Sequence, residues 1–347
     1  MRHPFRVAAF VVVATLLVAA AWIRLPYYAI GPGPARSVTP QIRYDGRPRY
    51  DPTGALEMTT VSYHQVSPLQ ALAVWLEPDW ALVPQADLYP TGNVALENQR
   101  SISQMDQSKI DATGVVLRRL ANYPKDHGTG ALVESTVPDC SADGRLFPGD
   151  IIEAIDGKPV GDTADVRRIL HHAKAGQALS FRLDVDGKVE RATFVRKPCG
   201  PDEELLVGFR SIDSFPFPVS IDSGDVGGPS AGLMWALGLY ELMTPGDLTG
   251  GRTIAGTGTI DLRGQVGPIG GIRDKVVAAQ RAGASIFLPR PTTWEISPGW
   301  TRERCGSSRS RPSPTRSKHS DLAERRREVG CWPCRRSVSR AGHGDGR

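Results

Sequence analysis

A chain of 347 residues with 40% hydrophobic content is long enough for two compact domains plus extra elements, each with a sizeable core. The formal net charge of +5 is unevenly placed: residues 289–347 hold 13 Arg and 1 Lys against 6 acids, which leaves the preceding part slightly acidic. That distribution argues against nucleic acid as a partner of the folded part.

Arg2, His3 and Arg6 precede an uncharged run over residues 7–23. The run sits at the short end of the ~17–25 residues that span hydrocarbon. Charge in front of it, and Trp22, Tyr27 and Tyr28 behind it, predict a transmembrane anchor within residues 1–30. The expected product is a single-pass cell-membrane protein with a cytoplasmic N-terminus and its bulk extracytoplasmic. A cleaved signal peptide is the rival, with Ala19-Ala20-Ala21 as its cleavage site.

Gly31-Pro32-Gly33-Pro34 cannot continue a helix and reads as a linker. Residues 31–127 form a mixed extracytoplasmic region. Residues 56–63 alternate like a strand, residues 68–76 read as a short helix with Pro68 in its first turn, and residues 101–122 read as a longer polar helix. No catalytic constellation stands out there.

Residues 128–199 have the rhythm of a small module. A strand over 131–137 leads to a turn at Pro148-Gly149-Asp150, an apolar strand over 151–155 and a tight turn at Asp156-Gly157. A helix over 163–175 follows, capped by Asp162 or Thr163. Residues 179–185 and 189–195 flank Asp186-Gly187, a strong hairpin signal. Leu146-Phe147-Pro148-Gly149-Asp150-Ile151-Ile152 followed by Ile155-Asp156-Gly157 resembles a PDZ domain. Such domains bind peptide segments by adding a strand to a sheet edge; a spacer without peptide binding is the alternative. Cys140 and Cys199 either pair as a disulfide or remain two thiols.

The chemistry lies further on. Gly228-Pro229-Ser230-Ala231-Gly232 places a serine in a permissive turn before an apolar helix over 230–243. Backbone N–H groups at that helix start can face a developing oxyanion. The same five residues satisfy the G-x-S-x-G elbow. An esterase of that kind needs a later histidine, and only His319 and His343 follow, both in the Arg-rich tail. Lys275 supplies a better base. It falls in the first turn of a helix expected over 272–282, where the dipole and apolar neighbours disfavour a charged amine. A neutral lysine can take the serine proton. A capping serine and a solvated lysine are the plain alternatives.

Residues 205–288 resemble the proteolytic domain of Lon-type serine proteases. The resemblance rests on Gly228-Pro229-Ser230-Ala231-Gly232, Ile254-Ala255-Gly256-Thr257-Gly258-Thr259-Ile260, Gly264-Gln265-Val266-Gly267-Pro268-Ile269-Gly270-Gly271 and Lys275-Val276-Val277-Ala278-Ala279. It implies Ser230 as nucleophile, Lys275 as base and Thr257 as the residue that holds the lysine. With the anchor and the PDZ-like module, it looks like a membrane-anchored, PDZ-containing Lon-like protease. The expected class is α+β: a transmembrane helix, a PDZ-like module at 128–199 and a Lon-type α/β domain at 200–288. Some Lon proteases carry an acid three residues before the serine, where this chain has Gly227. No G-x-x-x-x-G-K-[ST] loop occurs in these residues, so cleavage independent of ATP is expected. No cofactor is expected, and the partners are protein or peptide substrates and the membrane. Lon-type domains commonly form rings, so the resemblance also raises a homo-oligomer. A catalytically inactive peptide-binding surface protein is the alternative function.

After Leu288 the apolar periodicity stops. Residues 289–347 are rich in Arg, Ser, Pro and Gly, a composition that cannot bury enough surface to fold. The abruptness suggests a shift of reading frame near Leu288, which DNA sequencing around that codon tests. Cys331-Trp-Pro-Cys334 has C-x-x-C spacing, but no second pair accompanies it and no metal site is expected.

Overall fold

The computed structural model describes residues 3–200 and 203–289. The Arg-rich tail and the Cys331/Cys334 pair lie outside the described residues. The first helix, α1, spans His3–Trp22. Its uncharged part covers residues 7–22, about 24 Å at ~1.5 Å per residue, against ~30 Å of hydrocarbon. Among the described residues no helix is long and apolar enough to cross a membrane. This corrects the expected transmembrane anchor and, with it, the single-pass cell-membrane location and the membrane as partner.

The second correction concerns Gly31-Pro32-Gly33-Pro34. These residues are not a linker but the middle of strand β1, Tyr27–Ser37. After a short β2, Ile42–Tyr44, strand β3, Ala55–Gln65, pairs antiparallel with β1 from Tyr28↔Gln65 to Ser37↔Glu57. The register shifts between Pro32 and Ala35, and that irregularity accommodates prolines that have no N–H for the ladder. Gly31 is required by packing: a Cβ there would lie 2.4 Å from the Trp80 ring.

Helix α2, Pro68–Leu76, begins with a complete capping box in which Ser67 and Gln70 bond each other's backbone N–H. Strand β4, Ala81–Pro84, adds to the free edge of β1, and α3, Gln85–Leu88, is a single turn. Helix α4 runs Val94–Leu120, beginning earlier than the polar pattern indicates because the Asn93 side chain accepts from the Leu96 N–H.

The second module starts with β5, Ala131–Thr136, then β6, Ile151–Ile155, and a two-residue β7, Lys158–Pro159. Asp162 caps α5, Thr163–His172, and the hairpin β8, Ala178–Val185, with β9, Lys188–Val195, turns at Asp186-Gly187. A small hairpin of β10, Lys197–Cys199, and β11, Glu204–Leu206, leads into β12, Phe209–Asp213. Sequence periodicity does not reveal β12, yet it pairs antiparallel with β5 and completes a sheet of order β12-β5-β6-β8-β9. Ile152, Ile155, Leu179, Phe181 and Phe194 fill its core. Cys140 and Cys199 form a disulfide.

Strand β13, Val219–Ile221, pairs with β2. It is followed by α6, Gly232–Met243, β14, Thr253–Gly256, the short β15, Thr259–Ile260, and β16, Val266–Gly267, then α7, Ile272–Arg281, and β17, Ile286–Leu288. The main sheet has order β17-β14-β3-β1-β4, with β14 parallel to both β3 and β17. Thus strands from the first hundred residues build the platform on which β14 and β17 pair. Trp235 and Leu239 of α6, Met105 and Ala112 of α4, and Leu56 and Met58 of β3 meet in one buried core. α6 is apolar on nearly every face, as a helix covered on both sides must be, and its one charged residue, the buried Glu241, accepts from the Leu248 N–H.

Candidate active site

Three elements of this core converge on one point. Ser230 lies in the turn two residues before α6, Thr257 directly follows β14, and Lys275 is in the first turn of α7. The Lys275 Nζ donates to Ser230 Oγ at 2.8 Å and to Thr257 Oγ1 at 3.2 Å. Thr257 in turn donates its hydroxyl to the Ser230 carbonyl at 3.1 Å, and the Gly258 N–H donates to the same carbonyl at 2.8 Å. The three residues named from sequence are therefore brought together, and the threonine ties the lysine to the backbone of the serine.

Their exposures differ in a useful way. Thr257 is 0% and Lys275 4% exposed, while Ser230 is half-buried. Burial strips water from the Lys275 amine and lowers its pKa from 10.5 to about 8. A large fraction is then neutral near pH 8, with a lone pair that can accept the Ser230 O–H proton. That is the combination a nucleophile and base require: a base held dry, and a nucleophile within reach of a substrate.

The turn carrying Ser230 is anchored at both ends. Leu233 N–H donates to the Gly258 carbonyl at 3.0 Å, and Gly228 N–H donates to the Ser101 carbonyl of α4 at 2.8 Å. Residues 31–127, where no catalytic constellation is visible in sequence, thus contact the nucleophile turn. A backbone carbonyl leaves no residue-type signal, so this contact is not readable from sequence.

The comparisons with known proteins agree with these two modules. Residues 219–297 match the Lon protease (S16) C-terminal proteolytic domain, and residues 132–183 match the PDZ domain. A Lon protease from Desulfosudis oleivorans is 44% identical over 87 residues, covering 24% of this chain and 10% of the relative. Lon protease 2 from Herpetosiphon aurantiacus is 48% identical over 152 residues, covering 40% of this chain and 16% of the relative. A Lon protease from Dictyoglomus thermophilum is 36% identical over 133 residues, covering 38% and 16%. The chain therefore spans only a small part of these relatives' length. The chain thus carries one segment similar to the Lon protease C-terminal proteolytic domain, the domain of a serine endopeptidase, and one similar to a PDZ domain.

Proposed function

We propose that this chain cleaves peptide bonds of protein or peptide substrates with a Ser230–Lys275 dyad, without nucleotide, and that Thr257 orients the lysine. The observation that carries this reading is the 2.8 Å contact between a buried lysine of lowered pKa and an accessible serine. In the first step the neutral Lys275 amine takes the Ser230 hydroxyl proton as Oγ attacks the substrate carbonyl carbon. The oxyanion forms beside the N-terminal amides of α6. Lys275, now an ammonium, returns the proton to the departing amine as the C–N bond breaks. Water then attacks the acyl ester, with Lys275 taking its proton and Ser230 regaining one as leaving group. The PDZ domain presents peptide segments of the substrate.

The test is covalent labelling by a small serine-directed electrophile, located by peptide mapping, together with cleavage of an unfolded test protein without ATP. The expected result is a label on Ser230 and nucleotide-independent cleavage. A folded protein with no label on Ser230 and no cleavage would sink the dyad and favour a peptide-binding protein without catalysis, whereas cleavage retained in Ser230→Ala would sink the dyad in favour of another nucleophile.

Thr257→Val supplies a second measurement. It removes an acceptor for Lys275 and a donor to the Ser230 carbonyl with little change of shape. The expected effect is a fall in kcat of roughly 10- to 100-fold with KM little changed, because the loss concerns alignment and not substrate binding. A parent-like kcat in a folded Thr257→Val protein would remove Thr257 from the mechanism.

A further inference from the structure

One contact near the dyad comes from a helix far away in the chain. Ser108 of α4 is 2% exposed, and its hydroxyl donates to the Pro229 carbonyl at 2.9 Å. Pro229 immediately precedes the nucleophile. The same face of α4 bears Ser101, whose carbonyl takes the Gly228 N–H, and Met105, whose sulfur takes the Trp235 indole N–H at 3.4 Å. Positions 101, 105 and 108 are spaced to lie on one side of a helix. The fit is close: a Cβ on Gly227 would stand 2.4 Å from Ser101 Oγ, and one on Gly232 2.7 Å from Ser108 Oγ. The turn is thus pressed against α4 on one side and held by Gly258 and Thr257 on the other.

Resting on the dyad reading above, we propose that Ser108 is a positioning residue for the Ser230 nucleophile. The Pro229 carbonyl belongs to the 229–230 peptide, so the Ser108 hydroxyl holds the peptide that carries Ser230, and the Gly232 N–H reaches the same carbonyl only at 3.5 Å. Ser108 is buried while Pro229 is exposed, so the hydroxyl orients the turn from its core side. Without the Ser108 hydroxyl the 229–230 peptide loses its shorter hydrogen bond, the one from α4, and Ser230 Oγ shifts off the line to Lys275 Nζ. Displacements on the order of 1 Å cost an enzyme roughly 100-fold. The helix also meets the PDZ module, where Arg100 lies 3.8 Å from Asp143.

Three substitutions and the parent test the proposal on a peptide substrate, with the melting temperature of each protein recorded. Ser108→Ala deletes the hydroxyl, Ser108→Cys keeps the shape but has only a weak donor, and Ser108→Thr keeps the donor. The expected result is a fall in kcat of roughly 10- to 100-fold at unchanged KM for Ala and Cys, with a matching drop in the labelling rate of Ser230 and recovery of most of the parent rate by Thr. If Ser108→Ala does not fold, the isosteric Cys variant carries the measurement. Parent-like kcat in the Ala and Cys variants, or equal losses in Cys and Thr, would overturn the positioning role while parent cleavage and its loss in Ser230→Ala leave the dyad standing. A folded parent that neither cleaves nor labels would overturn the dyad reading and this role with it.

Discussion

Lys275→Met is expected to lower kcat by roughly 1,000- to 10,000-fold while leaving the protein folded, and Ser230→Ala is expected to do the same. The two losses should not add in the double variant, because each alone disables the same proton transfer. In the parent, kcat/KM should rise with pH and level off above the Lys275 pKa of about 8, since only the neutral amine accepts the Ser230 proton. Stability should follow the same group. The folded pKa is lowered from 10.5 to about 8, so the unfolded chain binds more protons between those values. Stability therefore rises as pH climbs from 8 towards 10.5. Below pH 8 the full cost of holding the ammonium in a dry site is present, roughly 3 kcal/mol at 1.36 kcal/mol per pKa unit. Lys275→Met removes that cost, so urea unfolding at pH 7 should show the inactive variant to be more stable than the parent. A pH-independent kcat/KM between pH 6 and 10, or a Lys275→Met protein with parent-like turnover, would refute a lysine base at this position.

The parts of this fold readable in the sequence are those set by local chemistry. Pro68 in the first turn of α2, Asp162 before α5 and the Asp186-Gly187 turn carry their own boundary signals, and the structure places the elements accordingly. The Ser230 turn and the Lys275 helix are likewise legible as separate motifs. What sequence does not show is set by distant partners. β1 is a strand in spite of Gly31-Pro32-Gly33-Pro34 because β3 pairs along it and tolerates an irregularity beside the prolines. β12, with its charged Arg210 and Asp213, is a strand because β5 offers an edge. The apolar run near the N-terminus reads as a span, yet among the described residues no helix is long and apolar enough to cross a membrane. The support of the nucleophile turn comes from Ser101 and Ser108, more than 100 residues earlier in the chain. Two small polar residues on a polar helix look like solvated surface until α6 is packed against them.

The largest stability effect is expected from the Cys140–Cys199 bridge. These half-cystines are buried at 7% and 8% exposure and close a loop with a sequence separation of 59. Chain-entropy arguments give about 4 kcal/mol for a loop of that size, since the bridge removes much of the freedom of the unfolded chain. The position amplifies the consequence. Cys199 ends β10, and the β10–β11 hairpin returns the chain so that β12 can lie beside β5. β12 is also the last strand of the PDZ sheet before the chain crosses to β13 and the Ser230 turn. Its end is held there by Asp213, which accepts from both the N–H and the hydroxyl of Thr163 at 2.9 and 2.7 Å. Releasing the hairpin should therefore weaken the PDZ module first and loosen its link to the endopeptidase domain. The Cys140→Ala/Cys199→Ala double variant, compared with the parent in urea with and without reductant, is the direct measurement. The parent should lose about 4 kcal/mol on reduction, whereas the double variant should be indifferent to reductant and sit near the reduced parent. Hydrogen exchange should localise the loss to residues 197–213, with α6 and β14 still protected. A parent whose unfolding curve does not move on full reduction would show that packing alone holds β12 in place.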